Sequence, residues 1–189
     1  MRHSRHPVFG FTLIELLVII SIVSILVSIS IPSFGRMIIS KRISSVTSQL
    51  HAALYLARFE ALTRAKFVSI CRSENADSAL PSCAEASGNS ASELGWGHGW
   101  IIYEDSDNDG KFTAQDKLLQ VQGQLFSSSK QGAIHTNPNR KQLRFGPTGQ
   151  TFGSYMRFTI SRPLDNTDVK LNQFLCIASG GRVRVCQKG

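Results

Sequence analysis

The hydrophobic positions divide the chain into a continuous apolar run, a helical stripe and a series of short extended segments. Residues 11–31 are apolar except for Thr12, Glu15 and four serines. This length matches the roughly 20 residues that a helix needs to cross a bilayer. Arg2 and Arg5 precede the run, and positive charge ahead of a first span keeps that end in the cytoplasm. We therefore expect a single membrane-spanning helix with the C-terminal part outside the cytoplasm.

The helical pattern continues beyond this run. Pro32 removes one helical hydrogen bond, and we expect it to kink the helix. Apolar residues then recur at intervals of three and four, which is typical of one face of an amphipathic helix: Ile39, Ile43, Val46, Leu50, Ala53, Ala57 and Ala61. The pattern predicts one helix over about 11–65, whose residues 32–65 present a packing stripe.

After this helix the pattern changes from helical to extended. Segments rich in β-branched and aromatic residues, separated by glycine-containing turns, predict strands. They are residues 67–71, 100–104, 117–121, 133–136, 142–145, 155–161, 174–178 and 182–186. A long loop is predicted over 72–94. A helix followed by antiparallel strands predicts an α+β fold, with residues 66–189 as one globular domain.

Two features distinguish the apolar run from a secretory signal peptide. The small residue Gly10 precedes the run, so cleavage after it would remove a leader, residues 1–10, and keep the span, whereas a signal peptide is cut behind its apolar core. Glu15 is an ionisable side chain inside the span, which is costly unless the charge is paired. A free amine on Phe11, produced by the cut, is a natural partner for it.

Residues 10–18, with the sequence GFTLIELLV, resemble the processing site of type IV pilins and type II secretion pseudopilins. The resemblance implies that a prepilin peptidase cuts between Gly10 and Phe11 and methylates the new Phe11 amine. It also implies that Glu15 pairs with the amine of an adjacent subunit during assembly. The expected location is the bacterial inner membrane as a single-pass protein with a periplasmic domain, followed by incorporation into a pilus or pseudopilus. A plain N-terminal anchor is the alternative.

Motifs in the rest of the chain resemble the GspH/FimT family of minor pilins and pseudopilins. They are residues 57–61, Cys71-Arg72-Ser73 with Cys83, residues 96–100 leading to Glu104-Asp105, and residues 145–149. This resemblance implies a type IV pilin-like fold, with a long N-terminal helix packed on an antiparallel β-sheet domain. It further implies a minor subunit near the filament tip, with other pilin subunits as partners.

Charge and cysteine content restrict the partners and the compartment. The chain has 21 Lys and Arg against 13 Asp and Glu, a net charge of +8, which favours anionic partners such as nucleic acid or lipid headgroups. Four cysteines in a domain outside the cytoplasm indicate disulfides. Three connectivities are possible, and the simplest consists of two local loops, Cys71–Cys83 and Cys176–Cys186. Closely spaced cysteine pairs typical of zinc sites are missing from the sequence.

The C-terminal tail is a candidate for contact with DNA. Arg182 and Arg184 alternate with valines at 183 and 185, so in a strand the arginines share one face and the valines can be buried on the other. Residues 181–184 are similar to the Gly-Arg-x-Arg motif of FimT-type pilins that bind DNA during natural transformation. The basic surface would be wider if folding places further residues beside it: Lys170, Lys188, Arg140, Lys141 and Arg144. The alternative is that the two arginines merely decorate an exposed hairpin.

An acidic segment between two predicted strands is a candidate calcium loop. Its carboxylates match the ligand spacing of an EF-hand loop, with Gly110 at the sixth position: Asp105, Asp107, Asp109 and Asp116. Asp116 replaces the usual bidentate glutamate, and strands rather than helices flank the loop. Since Asp and Gly also suit a hairpin turn, a cation site and a plain acidic hairpin both remain open.

Two functions fit these features. In one, the protein is a minor pilin of a type IV pilus whose basic C-terminal hairpin binds double-stranded DNA for uptake in natural transformation. In the other, it is a structural and priming pseudopilin of a type II secretion system with no nucleic-acid role. We expect that the protein is not an enzyme and that, apart from calcium, it binds no cofactor. His51, His98 and His135 are scattered along the sequence, and no nucleophile motif or phosphate loop is present in it.

Overall fold

A computed structural model describes residues 11–84, 93–153, 155–161 and 172–187, with the backbone alone for residues 29–34 and 36. The predicted sites at Gly10, Lys170 and Lys188 lie outside the described residues. The chain divides into two compact units, one ending at Ile39 and the other beginning at Ser40. The strands, both disulfides and the buried core belong to the second unit.

A single helix, α1, runs over Leu13–Arg64, as the apolar periodicity predicts. Thr12 caps the N-terminus of this helix. Its Oγ1 accepts a hydrogen bond from the Glu15 backbone N–H at 3.3 Å, and such a side-chain cap satisfies one free donor of the first turn. Within the described side chains, no helix has both the length and the mean hydropathy that a membrane span requires. The kink at Pro32 stays a prediction.

The second half of α1 packs on the domain through the predicted stripe. From Ile43 to Ala61 every member of that stripe is at most 3% exposed, which confirms the pattern within this unit. Leu54 and Thr47 are buried as well, so the covered face is wider than the stripe. Thr47 is accommodated because its buried hydroxyl is hydrogen-bonded, donating to the Ile43 carbonyl oxygen at 2.8 Å.

Within the described residues, eight strands form two four-stranded antiparallel sheets, and they coincide with the eight predicted segments to within one residue at each end. The first sheet has the order β3-β2-β1-β5 and contains β1 Phe67–Arg72, β2 Trp100–Asp105, β3 Lys117–Gln122 and β5 Gln142–Phe145. The second sheet has the order β4-β6-β7-β8 and contains β4 Ala133–Asn137, β6 Met156–Ser161, β7 Gln173–Ile177 and β8 Val183–Cys186. The expected α+β fold is confirmed.

The core contains large aromatic side chains from both sheets and from a short 3₁₀ helix, Trp96–His98, which the sequence pattern did not predict. Trp96 is buried, and its ring meets that of Phe158 edge to face at 5.1 Å between centroids. Its indole N–H donates to the Arg140 carbonyl oxygen at 3.0 Å. The 3₁₀ helix thereby links the start of β2 to the second sheet.

Both local cysteine pairs are bonded in the structure. Cys71 on β1 is bonded to Cys83, and this ties the segment after β1 back to the core beside Ile101 and Tyr103. Cys176 on β7 is bonded to Cys186 on the neighbouring strand β8. The second bridge therefore crosslinks the two strands of the C-terminal hairpin.

Candidate nucleic-acid interface and acidic loop

The turn that joins β7 to β8 positions the candidate DNA-binding arginines. The Gly181 N–H donates to the Ala178 carbonyl oxygen at 2.8 Å, and the Ala178 N–H donates to the Arg182 carbonyl oxygen at 3.2 Å. Gly181 has φ +73°, and a Cβ there would overlap the Gly149 carbonyl oxygen. Only glycine suits a left-handed position in such close contact with another backbone segment.

Two neighbouring segments, the chain at Thr151 and helix α1, hold this turn. The Thr151 N–H donates to the Ser179 carbonyl oxygen at 3.0 Å. On the other side, an α1 arginine, Arg58, donates from Nη2 to the Gly180 carbonyl oxygen at 3.3 Å. The Tyr55 hydroxyl, one turn earlier on α1, donates to the Val183 carbonyl oxygen at 3.4 Å. Together with the Cys176–Cys186 bridge, these contacts fix the hairpin against both the helix and the rest of the sheet.

The hairpin presents Arg182 and Arg184 to solvent, as predicted, but it buries only one of the two valines. Val183 is 2% exposed, whereas Val185 is 63% exposed, so the prediction that both valines are buried is wrong. The reason is that β8 is the edge strand of its sheet and α1 contacts it through Tyr55 at Val183, two residues before Val185. The exposed end of β8 therefore lies beyond the part that the helix covers.

A third arginine shares the face of Arg184, and the sequence reasoning missed it. Arg184 pairs with Cys176 across β8 and β7, and Cys176 pairs with Arg157 across β7 and β6. The alternation of β6, whose burial pattern is strictly buried then half-buried, was the available signal. In the described part of the chain, no ion pair joins Arg157, Arg182 or Arg184 to a carboxylate.

The acidic loop brings together three of its four predicted ligands. Ligand atoms of Asp105, Asp107 and Asp109 all lie within 4.8 Å of one another. Asp116 has a different role, since its Oδ1 accepts from the Ser106 N–H at 2.8 Å and its Oδ2 accepts from the Thr113 N–H at 2.7 Å. It closes the hairpin as a turn residue does.

Asp105 of this cluster already pairs with a cation of the protein itself. Arg144 on β5 approaches Asp105 Oδ2 with Nη2 at 2.8 Å and donates to Asn108 Oδ1 at 3.1 Å. Its guanidinium also lies 4.1 Å from the centroid of the Phe67 ring. Burial raises the pKa of the Asp105 carboxyl, and Arg144 opposes that rise. Calcium binding stays a prediction, which calorimetric titration of the protein and of Asp107→Asn with millimolar calcium would test.

The candidate catalytic histidines are separated in the structure. His51 on α1 packs against Tyr55 with 4.7 Å between ring centroids, and His98 ends the 3₁₀ helix. His135 lines a cavity of about 200 Å³ with Arg72 and Trp96 among its neighbours. The side-chain hydroxyl in that lining belongs to Thr136, which donates to a backbone carbonyl oxygen. This arrangement contains no activated nucleophile of the kind that covalent catalysis needs.

Two crystal structures of the type IV minor pilin FimU from Pseudomonas aeruginosa strain PAO1 share this fold. One aligns with a TM-score of 0.53 at 17% identity and covers 78% of this chain and 90% of FimU. The other has a TM-score of 0.51 at 18% identity and covers 76% and 92%. No curated protein sequence matches the chain significantly. The likeness defines the class of the protein, which has a type IV pilin fold.

Matches of the sequence to known families identify the family of this chain. Residues 46–185 match the family described as type II transport protein GspH, and residues 5–31 match the prokaryotic N-terminal methylation motif. The chain belongs to the GspH family and is a GspH/FimT-like minor pilin or pseudopilin. This is a family of structural subunits, not of enzymes. Its N-terminal motif implies a membrane-anchored component that associates with other pilins and with a prepilin peptidase.

Proposed function

We propose that this protein is a minor subunit of a type IV pilus and that the arginines of its β7–β8 hairpin bind DNA for uptake in natural transformation. The observation that carries the proposal is the exposure of Arg182 and Arg184 on a hairpin fixed by a disulfide and by the turn contacts at Gly181. A guanidinium forms bidentate hydrogen bonds to phosphate. Because the backbone that carries the two side chains is already ordered, binding requires little further ordering.

The N-terminal part supports assembly into a filament. We propose cleavage between Gly10 and Phe11, methylation of the Phe11 amine, and storage of residues 11–31 as a single span in the inner membrane with the domain in the periplasm. Glu15 lies in the first turn of α1, where the helix dipole favours a negative charge. Its carboxylate is thus stabilised locally and would be paired fully when the amine of an adjacent subunit reaches it.

The direct test is DNA binding by the full chain in detergent, measured by fluorescence anisotropy with a labelled duplex at several salt concentrations. If Arg182 and Arg184 each neutralise one phosphate, Arg182→Gln/Arg184→Gln makes the negative slope of log K against log salt shallower by about 1.8. Lys41→Gln/Arg42→Gln is the matched control, because it removes the same charge from exposed positions on α1. Unchanged affinity and slope in the arginine pair would contradict the proposal.

The second candidate function is that of a structural pseudopilin in type II protein secretion, with no nucleic-acid role. The family description, type II transport protein, favours it. A strain carrying Arg182→Gln/Arg184→Gln separates the two functions when transformation and protein secretion are scored together. Loss of transformation with normal secretion supports DNA uptake, whereas normal transformation with a secretion defect in the deletion strain supports the pseudopilin.

A further inference from the structure

The outer face of the second sheet places a third arginine in line with the hairpin. Residues that pair directly across antiparallel strands project from the same face, with Cα atoms about 5 Å apart at each step. Arg184, Cys176 and Arg157 occupy one such row. Arg157 is therefore two strands from Arg184, at roughly 10 Å between Cα atoms, and its side chain emerges on the same side of the sheet.

Contacts with neighbouring side chains hold Arg157 in place. Its Nε donates to the Tyr155 hydroxyl at 3.1 Å, and that hydroxyl lies 2.8 Å from Cys176 Sγ. The guanidinium carbon is 5.8 Å from the centroid of the Phe174 ring and 6.0 Å from that of Tyr155. The arginine is thus ordered next to the disulfide that fixes the hairpin.

Among the described residues, no carboxylate balances the charge of Arg157. Its side chain is also half-exposed, because its aromatic neighbours cover it only in part. An ordered guanidinium without a protein counter-ion is suited to an external anion, and phosphate matches its planar donors. Tyr155 adds a second property, since it is 42% exposed. Surfaces that bind single-stranded nucleic acid combine basic side chains along the backbone with aromatic rings on which bases stack.

We infer that the DNA-binding surface extends from the hairpin across the second sheet, with Arg157 as a further phosphate contact and Tyr155 as a stacking platform for unpaired bases. This inference rests on the proposed function. It predicts that the protein prefers DNA that has a single-stranded segment over fully paired DNA. A base can stack on Tyr155 only when it is free of its own duplex, while Arg157 can contact a phosphate of either form.

The phosphate contact is tested by anisotropy with the full chain in detergent, using a labelled 20-nucleotide single strand and its duplex. Arg157→Gln should make the negative salt slope shallower by about 0.9 on the duplex and about 0.7 on the single strand. Arg157→Lys keeps the charge and should keep the slope. Arg42→Gln, which removes an exposed arginine from α1, should leave the affinity at its wild-type value.

Failure of the inference can be told apart from failure of the proposed function. If the wild type binds and Arg182→Gln/Arg184→Gln is impaired but Arg157→Gln matches the wild type, the extension to Arg157 is wrong and the hairpin site stands. If the wild type binds neither DNA, both are wrong. Far-ultraviolet circular dichroism of each variant verifies the fold, and Arg157→Met, which also removes the charge, is measured in its place if Arg157→Gln is unfolded.

The stacking role is tested with the same two DNA probes. Tyr155→Leu should weaken binding to the single strand about tenfold and leave duplex binding unchanged, because only unpaired bases use the ring. Tyr155→Phe keeps the ring and should retain most of the single-strand affinity. An equal loss on both probes, or no loss on the single strand, would exclude Tyr155 as a stacking platform.

Discussion

The two sheets of the domain both carry an arginine near aromatic rings, but only one of these arginines is neutralised. In the first sheet, Arg144 lies over Phe67 and forms an ion pair with the buried Asp105. In the second sheet, Arg157 lies near Tyr155 and Phe174 and has no such partner among the described residues. The location of unpaired positive charge is therefore a better guide to an anion-binding surface than the net charge of +8.

The carboxylates of the acidic hairpin in the first sheet also accept hydrogen bonds from its own backbone. Asp105 Oδ2 accepts from the Gly110 N–H at 3.1 Å, and Asp107 Oδ1 accepts from the Asp109 N–H at 3.2 Å. Asp109 Oδ1 in turn accepts from the Lys111 N–H at 2.6 Å. These are the hydrogen bonds that Asp forms in tight turns. We therefore assign the first sheet a structural role and the second sheet the recognition role.

The largest expected effect comes from breaking the ion pair of the first sheet. Arg144→Gln leaves the Asp105 carboxylate buried without its counter-ion, and such a change costs about 3–5 kcal/mol of unfolding free energy at pH 7. Arg184→Gln removes an exposed arginine and should change stability by no more than about 0.5 kcal/mol. Urea denaturation of both variants checks the contrast. Equal and small losses of unfolding free energy would show that the ion pair of Arg144 with Asp105 does not stabilise the fold.

The two disulfides also distinguish the two sheets, with a smaller expected loss of unfolding free energy. Cys176 and Cys186 are separated by 10 positions, and Cys71 and Cys83 by 12, so removal of either bridge should cost roughly 2–3 kcal/mol. Only Cys176→Ser/Cys186→Ser should also weaken DNA binding, because only that bridge holds the hairpin. Denaturation and anisotropy on both double serine variants decide this. A similar loss of DNA affinity in Cys71→Ser/Cys83→Ser would contradict it.

A glycine pair tests the turn itself. Gly181→Ala places a Cβ at a left-handed position and against the Gly149 carbonyl oxygen, and we expect a loss of about 1–3 kcal/mol. Gly180→Ala next to it is the control, since a Cβ there meets nothing within 4 Å. Thermal unfolding should separate the two variants. Equal melting temperatures would mean that the turn tolerates a shift at Gly181.

The smallest effect is a pH dependence from the second sheet. Burial lowers the pKa of His135 below its usual 6.5, and the nearby Arg72 lowers it further. The unfolded chain then binds the proton more readily than the folded one, so stability is lost as pH falls below about 6.5. His135→Gln should reduce this loss between pH 7.5 and 5.5, as measured by thermal unfolding. An unchanged pH dependence would exclude His135 as a contributor.

Local patterns predicted the elements, but they did not predict which side chains meet. The positions of α1 and the eight strands follow from periodicity because a helix face and a strand face are set by neighbours in sequence. Arg157 was missed because its proximity to Arg184 depends on the register of three strands. The burial of Val185 was predicted wrongly since alternation cannot identify an edge strand. The 3₁₀ helix at residues 96–98 is too short to show a period.

We propose that unpaired arginines on the second sheet bind DNA. The salt dependence of duplex binding by the full chain decides this when it is compared between the wild type, Arg182→Gln/Arg184→Gln and Lys41→Gln/Arg42→Gln. Arg182→Gln/Arg184→Gln should make the negative slope shallower by about 1.8 and reduce the affinity, while Lys41→Gln/Arg42→Gln should retain the wild-type slope. Equal slopes and affinities in all three proteins would contradict it.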